Sequence, residues 1–355
     1  MPTQQMSTPR IPARGARRFI KNIIVPTAVL AVIVAVFFRN ITPGDILANF
    51  LRIPPAFLLT FILLSLLGTV LRSWQYHLLL SGKLAFKDIF LITLVRNFSV
   101  DLLPGRTAAL VFYSWLTKKK GIALEEGASS FVIAIFYDSI ALVLMLGGLL
   151  FFLEAGISRW PLYAGMAGLL VLSVLVIFFS EGFFRFLLRG GKLRRLRLAG
   201  IEETVRGISR YLLEHSRNSE RLKLLAISLA SRICKYLYNF MLFEGVLRLG
   251  AGLKNFSLFC FGLAATEMSS LLPIHGPAGF GTWELAFAFV FSALRIPAAN
   301  IKEAGFVIHI TTQAWEYSIG LLALAYLAFS ARGKPHADRL GAAARPKGPD
   351  PSRSR

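Results

Sequence analysis

Apolar runs long enough to cross a bilayer recur along this chain, and two of them are broken in the middle by proline, glycine and charge. The first broken run is Ile89 to Leu116, interrupted at Asp101-Leu-Leu-Pro-Gly-Arg106. The second is Phe256 to Leu294, interrupted at Leu271-Leu-Pro-Ile-His-Gly-Pro-Ala-Gly-Phe-Gly-Thr-Trp-Glu284. Backbone that leaves a helix inside a bilayer must find partners other than lipid, so such breaks survive only against protein or a watery cavity. A matched pair, one in each half of a membrane chain, points to a transporter's binding site.

The unbroken runs are 19–38, 56–80, 128–153, 161–180, 223–247 and 304–329, each close to the length of about 20 residues that spans a bilayer. With 55% hydrophobic and 17% charged residues, the expected fold is an all-α polytopic membrane protein. Arg10, Arg14, Arg17, Arg18 and Lys21 precede the first run in the manner of a signal peptide. That run is longer than a typical signal core, and Phe37-Phe38-Arg39-Asn40 is no small-residue cleavage site, so it is read as a retained helix. Cys234 and Cys260 both sit in apolar runs, which excludes a disulfide framework or a metal-spaced cysteine cluster.

A net charge of +21 suggests nucleic acid until the charges are placed. With the N-terminus in the cytoplasm, the inner pieces (1–22, 81–88, 118–126, 181–223, 331–355) hold 28 of the 40 Lys and Arg, against 7 in the outer pieces (39–55, 154–160, 248–255, 295–303). This is the positive-inside bias, and it fits anionic lipid headgroups, not a nucleic-acid groove. The bias holds only if each broken run enters and leaves on one side. Full crossing by 89–116 would put Lys118-Lys-Lys120 outside.

The expected layout is therefore six transmembrane helices plus two re-entrant helical hairpins entering from opposite faces. Read in order it is span, span, hairpin, span, twice, an inverted repeat with halves 19–153 and 161–329. The domain is expected over 19–330, with basic disordered tails at 1–18 and 331–355. Segment 181–223 carries 11 basic residues and reads either as an amphipathic helix on the inner leaflet or as a solvated connector.

Ionisable residues inside membrane segments need a reason, because each costs at least about 2.5–3.5 kcal/mol on insertion scales. Arg72, Arg96, Asp101, Arg106, Asp138, Arg232, Lys235, Glu267, Glu284 and Glu316 are the deepest. Mutual pairing and a substrate-binding role both stand open for Asp138 and Glu316, and Arg72 is also placed to snorkel toward an interface. In the first break Pro104 and Gly105 end a helix and free backbone groups. The N–H groups that start the returning half-helix, with Arg106 and Arg96, suit an anion such as a lipid phosphate. The second break supplies His275, Gly276, Gly279 and Gly281 before Glu284; its glycines suit close backbone approach to a ligand or tight helix packing. His275 reads as a proton carrier or a hydrogen-bonded structural histidine. No nucleophile–base pair, metal motif or phosphate loop accompanies them, so neither a cofactor nor catalysis is expected.

At these residues the chain resembles the flippase-like family typified by the transmembrane half of lysylphosphatidylglycerol synthases. The resemblance rests on Leu71-Arg-Ser-Trp74, Leu103-Pro-Gly-Arg106, Tyr113 through Lys118-Lys-Lys-Gly-Ile122, and Pro277-Ala-Gly-Phe-Gly-Thr-Trp-Glu284. It implies an inner-membrane protein that handles lipids with charged or glycosylated headgroups, and binding roles for Arg72, Arg106, Gly279, Gly281 and Glu284. Ala109, Phe112, Ala134, Ile135 and Ala278 depart from the family pattern, so the headgroup is expected to differ from the family's aminoacylated lipid.

The expected function is thus a lipid translocase, not an enzyme, in the cytoplasmic membrane with both termini inside. Its expected partners are anionic or glycosylated membrane lipids and no nucleic acid, with a homo-oligomer or a lipid-biosynthesis enzyme partner left open. The competing readings are a membrane enzyme or accessory subunit in glycolipid or lipid-linked sugar synthesis, and a small-anion transporter. The single scattering of the acidic residues argues against the enzyme.

Overall fold

The computed structural model describes residues 43–100, 107–152, 218–271, 279–294 and 301–332, with isolated positions between 160 and 171 and at 296. The expected spans 19–38 and most of 161–180, the segment 181–217 and nearly all of both tails lie outside the described residues. All regular structure among the described residues is helical. The long helices are α1 (Pro43–Leu51), α2 (Pro55–Leu79), α3 (Phe86–Ser99), α4 (Thr107–Lys119), α5 (Leu124–Leu149), α6 (Asn218–Leu247), α7 (Leu253–Glu267), α8 (Thr282–Ala293) and α9 (Ile301–Arg332), with short 3₁₀ turns at Leu150–Phe152 and Met268–Leu271. Two of the described helices, Pro55–Leu79 and Glu126–Phe152, are long and apolar enough to cross a membrane.

Two boundaries differ from expectation. The stretch 39–55, read as an outer loop, contains α1, where Pro43 sits at the helix start with a preset φ. Residues 218–223, read as the end of the basic segment, begin α6 instead.

Helix α2 carries a polar stripe inward and an apolar face outward. On α2, Ser65, Thr69 and Ser73 recur every fourth residue and are buried, whereas Leu59, Leu63, Leu67, Val70 and Trp74 are exposed. A water-soluble helix has the opposite arrangement. In lipid the apolar stripe meets acyl chains, and the hydroxyls turn inward, where partners exist. Thr69 and Ser73 donate to the carbonyls of Ser65 and Thr69 at 3.0 and 2.7 Å.

Each broken run forms two short helices packed on one another, α3 with α4 and α7 with α8. Their feet lie at opposite ends of the bundle. At one end Lys120, after α4, pairs with Asp88 at the start of α3 (2.7 Å), beside Lys83 on Glu126 (2.6 Å) and Lys87 on the Tyr326 hydroxyl (2.8 Å). At the other end Ser257, early in α7, donates to the Leu149 carbonyl (2.8 Å), and Arg248 donates to the Arg52 carbonyl (3.2 Å). Asn49 there donates to Glu303 at the start of α9 (2.5 Å).

Two aromatic cores brace the hairpins. Tyr76, Tyr113 and Phe131 pack beneath the first. Phe243, Phe259, Phe287 and Phe291 pack beneath the second, with Phe287 and Phe291 stacked at 4.1 Å. Gly320 on α9 lets the first hairpin approach closely: a Cβ built there would lie 2.3 Å from Phe98 Cβ and 3.1 Å from the Leu94 carbonyl oxygen. Small residues at crossings of this kind bring membrane helices together.

Candidate functional site

Helical spacing gathers polar side chains from several helices onto one interior space. Residues three, four and seven apart share a helix face. Ser65, Thr69 and Arg72 do so on α2, Arg232, Lys235, Tyr238 and Asn239 on α6, and His309, Thr312, Gln313 and Glu316 on α9. These ladders line a cavity of ≈ 200 Å³, closed further by Arg96 and Asn97 of α3, Asp138 of α5, Glu267 of α7, and Gly279 with Trp283 at the tip of the second hairpin. The end of α3 and the turn before α8 thus meet at the middle of the bundle.

A continuous ion network runs along one side. Arg72 Nη1 lies 2.7 Å from Asp138 Oδ1, and Arg232 Nη2 lies 4.0 Å from Asp138 Oδ2. Arg232 Nη1 is 3.6 Å from Glu267 Oε2, and Lys235 Nζ is 2.6 Å from Glu267 Oε1. Arg72 also donates to Gln75 Oε1 (2.5 Å), and Gln75 in turn donates to Ser228 (2.6 Å). The network joins α2, α5, α6 and α7. Breaking a buried pair of this kind typically costs about 3–5 kcal/mol, because one charge is left uncompensated.

Arg96 is different. Its Nη1 donates to the neighbouring Asn97 side chain (2.9 Å), and its guanidinium lies 5.4 Å from the Phe131 ring centre. Its buried Nε has no hydrogen-bond partner, and it forms no ion pair among the described residues. The described cavity lining carries four cations (Arg72, Arg96, Arg232, Lys235) against three carboxylates (Asp138, Glu267, Glu316), a surplus of one positive charge. In a low-dielectric interior such a surplus attracts an anion.

A second polar site stands at the hairpin tip. Gly279 (φ +77) and Gly281 (φ +86, ψ −53) adopt conformations open to glycine and strained for other residues. They turn the chain into α8, where Glu284 Oε2 accepts the Gly281 N–H at 2.7 Å. The other oxygen of Glu284 lies 2.5 Å from His309 Nδ1. Among the described residues no cluster of three or more His, Cys, Asp or Glu is arranged to hold a metal ion.

Of the candidate residues, Arg72, Arg96, Asp138, Arg232, Glu267, Gly279 and Glu316 line this one cavity. Glu284 and Gly281 do not: Glu284 is 0% exposed and occupied by the Gly281 amide and His309, so it holds the turn from behind the cavity wall. Asp101, Pro104, Gly105, Arg106, His275 and Gly276 lie outside the described residues. Arg72 does not snorkel; its side chain is 11% exposed and bound to Asp138. The acidic residues are not singly scattered in space either, since Asp138, Glu267 and Glu316 reach the same cavity. His309 and Gln313 were not singled out from the sequence. Their signal was the polar ladder of α9, visible only when His309 and Gln313 are read with Glu316 at helical spacing.

No curated protein matches the chain. The family described as the lysylphosphatidylglycerol synthase TM region matches residues 23–320, a stretch that holds the whole cavity. With most of its length so matched, the chain belongs to the lysylphosphatidylglycerol synthase TM region family of membrane proteins.

Proposed function

We infer that the chain is a lipid translocase that moves a phospholipid or glycolipid with a charged headgroup between leaflets. The observation that carries this reading is the surplus positive charge of a cavity where two helical hairpins meet, with Arg96 outside the ion network. The volume of ≈ 200 Å³ is below the roughly 300–1,000 Å³ of a drug-sized pocket. It suits a headgroup, with the acyl tails left in the bilayer against exposed residues such as Leu63, Leu67 and Phe289.

The membrane arrangement in this reading is six crossings and two re-entrant hairpins. The hairpin helices have 12 to 15 residues, about 20 Å at 1.5 Å per residue, short of a hydrocarbon core about 30 Å thick. The end that carries Lys83, Lys87 and Lys120 would face the cytoplasm, with both termini. Alternating access would come from one half rocking against the other around the fixed cavity. Transport is favoured over synthesis because Asp138 and Glu267 are engaged by Arg72 and Lys235 at 2.7 and 2.6 Å, so neither stands open as a general acid or base.

The test is transbilayer movement in vesicles holding the purified protein and a trace of fluorescent anionic phospholipid, read by a membrane-impermeant quencher. The reading requires faster movement than in protein-free vesicles. Absence of acceleration for anionic, zwitterionic and glycosylated lipids alike would overturn it. Uptake of radiolabelled phosphate into the vesicles without lipid movement would instead establish the small-anion transporter.

A further inference from the structure

The cavity wall holds a buried pair that the anion site does not use. His309 is 4% exposed and Glu284 is 0% exposed. An ionised Glu284 only accepts hydrogen bonds, so in that state its Oε1, 2.5 Å away, takes the histidine hydrogen on Nδ1. In the neutral ring Nε2 is then bare, and it lies 3.3 Å from the side-chain amide nitrogen of Gln313, which donates to it. Glu284 stands behind the wall, whereas His309 and Gln313 line the cavity. The ring therefore has Nδ1 against Glu284, behind the wall, and Nε2 against Gln313, which lines the cavity.

The same ring is built into the hairpin tip. Trp283 stacks on it at 4.7 Å, and Phe280 packs against it, tilted by 37°, at 4.6 Å. A Cβ at Gly279 would lie 3.6 Å from His309 Cε1. Glu284 binds His309 with one oxygen and the Gly281 amide with the other. A change of charge on His309 thus acts directly on the carboxylate that holds the turn into α8.

We propose that His309 is a proton-binding site on the cavity wall with Glu284 as its counter-ion, and that headgroup movement is linked to its loading. Neutral His309 takes a proton at Nε2 from cavity water, which regains one from bulk solvent; the Nδ1–H stays with Glu284. Nε2–H then donates, so the Gln313 amide must present its oxygen in place of its nitrogen. Loading reverses one hydrogen bond on the lining and adds a positive charge to a cavity that already has a surplus. Anion binding is therefore favoured when the site is loaded.

The other charged groups lining the cavity with His309 are Arg96 from α3, Arg232 and Lys235 from α6, Glu267 from α7, Glu316 from α9 itself, and the Arg72–Asp138 pair from α2 and α5. On α1, the contact with α9 is at Asn49 and Glu303, at the far start of that helix. Arginine and lysine keep their charge through neutrality, and histidine is the side chain whose ordinary titration falls between about pH 5 and 8. The cargo half of the proposal rests on the translocase reading; the proton half does not.

The test is nuclear magnetic resonance of the full chain in lipid nanodiscs with ¹⁵N-labelled histidine rings, from pH 4 to 9. The chain has five histidines, and His309→Gln assigns the signal. If that variant does not fold, single substitutions of His77, His215, His275 and His336 assign it by exclusion. The expected result is Nδ1 protonated throughout and Nε2 passing from bare to protonated. Glu284→Gln should move the midpoint of that change. A ring that keeps one protonation state across the range, or a midpoint unmoved by Glu284→Gln, would overturn the site. In vesicles, lipid movement should differ between pH 5.5 and 7.5 for the unmodified chain and lose that difference in His309→Gln; no difference in the unmodified chain would overturn the linkage. A titrating His309 with no lipid movement at any pH removes the translocase reading and leaves the proton site standing.

Discussion

Asp138 and Glu284 are both buried carboxylates at the middle of the bundle, and they are held in opposite ways. Asp138 faces two guanidinium groups, Arg72 at 2.7 Å and Arg232 at 4.0 Å, from two different helices. Its partners stay charged at any physiological pH, so the contact is a permanent strut. Glu284 faces an imidazole at 2.5 Å and a backbone amide at 2.7 Å. Its strength as an ion pair depends on whether the imidazole carries a second proton. The two ionic sites are thus one fixed and one conditional, and the conditional one sits where the chain turns on two positive-φ glycines.

The sharpest way to break that contrast is Asp138→Asn. It leaves Arg72 and Arg232 without their shared carboxylate, and the expected loss is about 3–5 kcal/mol of stability, read as a lowered thermal midpoint in detergent. Glu284→Gln keeps one acceptor, for Gly281, and replaces the charge-assisted bond to His309 with an amide NH2 facing the Nδ1–H, an expected loss of about 1–3 kcal/mol. If Glu284→Gln proves the more damaging of the two, the strut and the switch have been assigned the wrong way round. Gly281→Ala puts a side chain on a residue at φ +86, an expected cost of about 1–2 kcal/mol, and it should alter the His309 signal. An unchanged signal would disconnect the turn from the pair. Lys83→Ala removes a pair whose lysine side chain is 54% exposed, so the expected effect is smallest, about 0–1 kcal/mol, and should shrink further in high salt.

The sequence made the frame legible because proline and glycine inside an apolar run have few physical explanations. The breaks before Thr107 and Thr282 lie where the short helices change over, and four of the expected apolar runs are helical, as α2, α5, α6 and α9. Buried ionisable residues were legible for the same reason, since Arg72, Asp138, Arg232 and Glu267 are expensive in lipid unless something holds them. Their pairing was not legible. Arg72 and Asp138 are 66 residues apart, and no local pattern encodes which helix faces which. His309 is hidden in the sequence because a lone histidine in an apolar run carries no spacing, whereas His275 stands beside the glycines. Helix α1 is not legible as a helix because nine residues are too few for periodicity to separate helix from connector.

The central claim is that surplus positive charge in the cavity holds an anionic headgroup, and Arg96 tests it most directly. The measurement is the rate of anionic-phospholipid movement in vesicles for the unmodified chain, Arg96→Gln and Lys83→Ala. A charged hydrogen bond contributes about 1.5–3 kcal/mol, so the account predicts a fall of roughly tenfold or more for Arg96→Gln and no change for Lys83→Ala. Equal rates for the unmodified chain and a well-folded Arg96→Gln would contradict it.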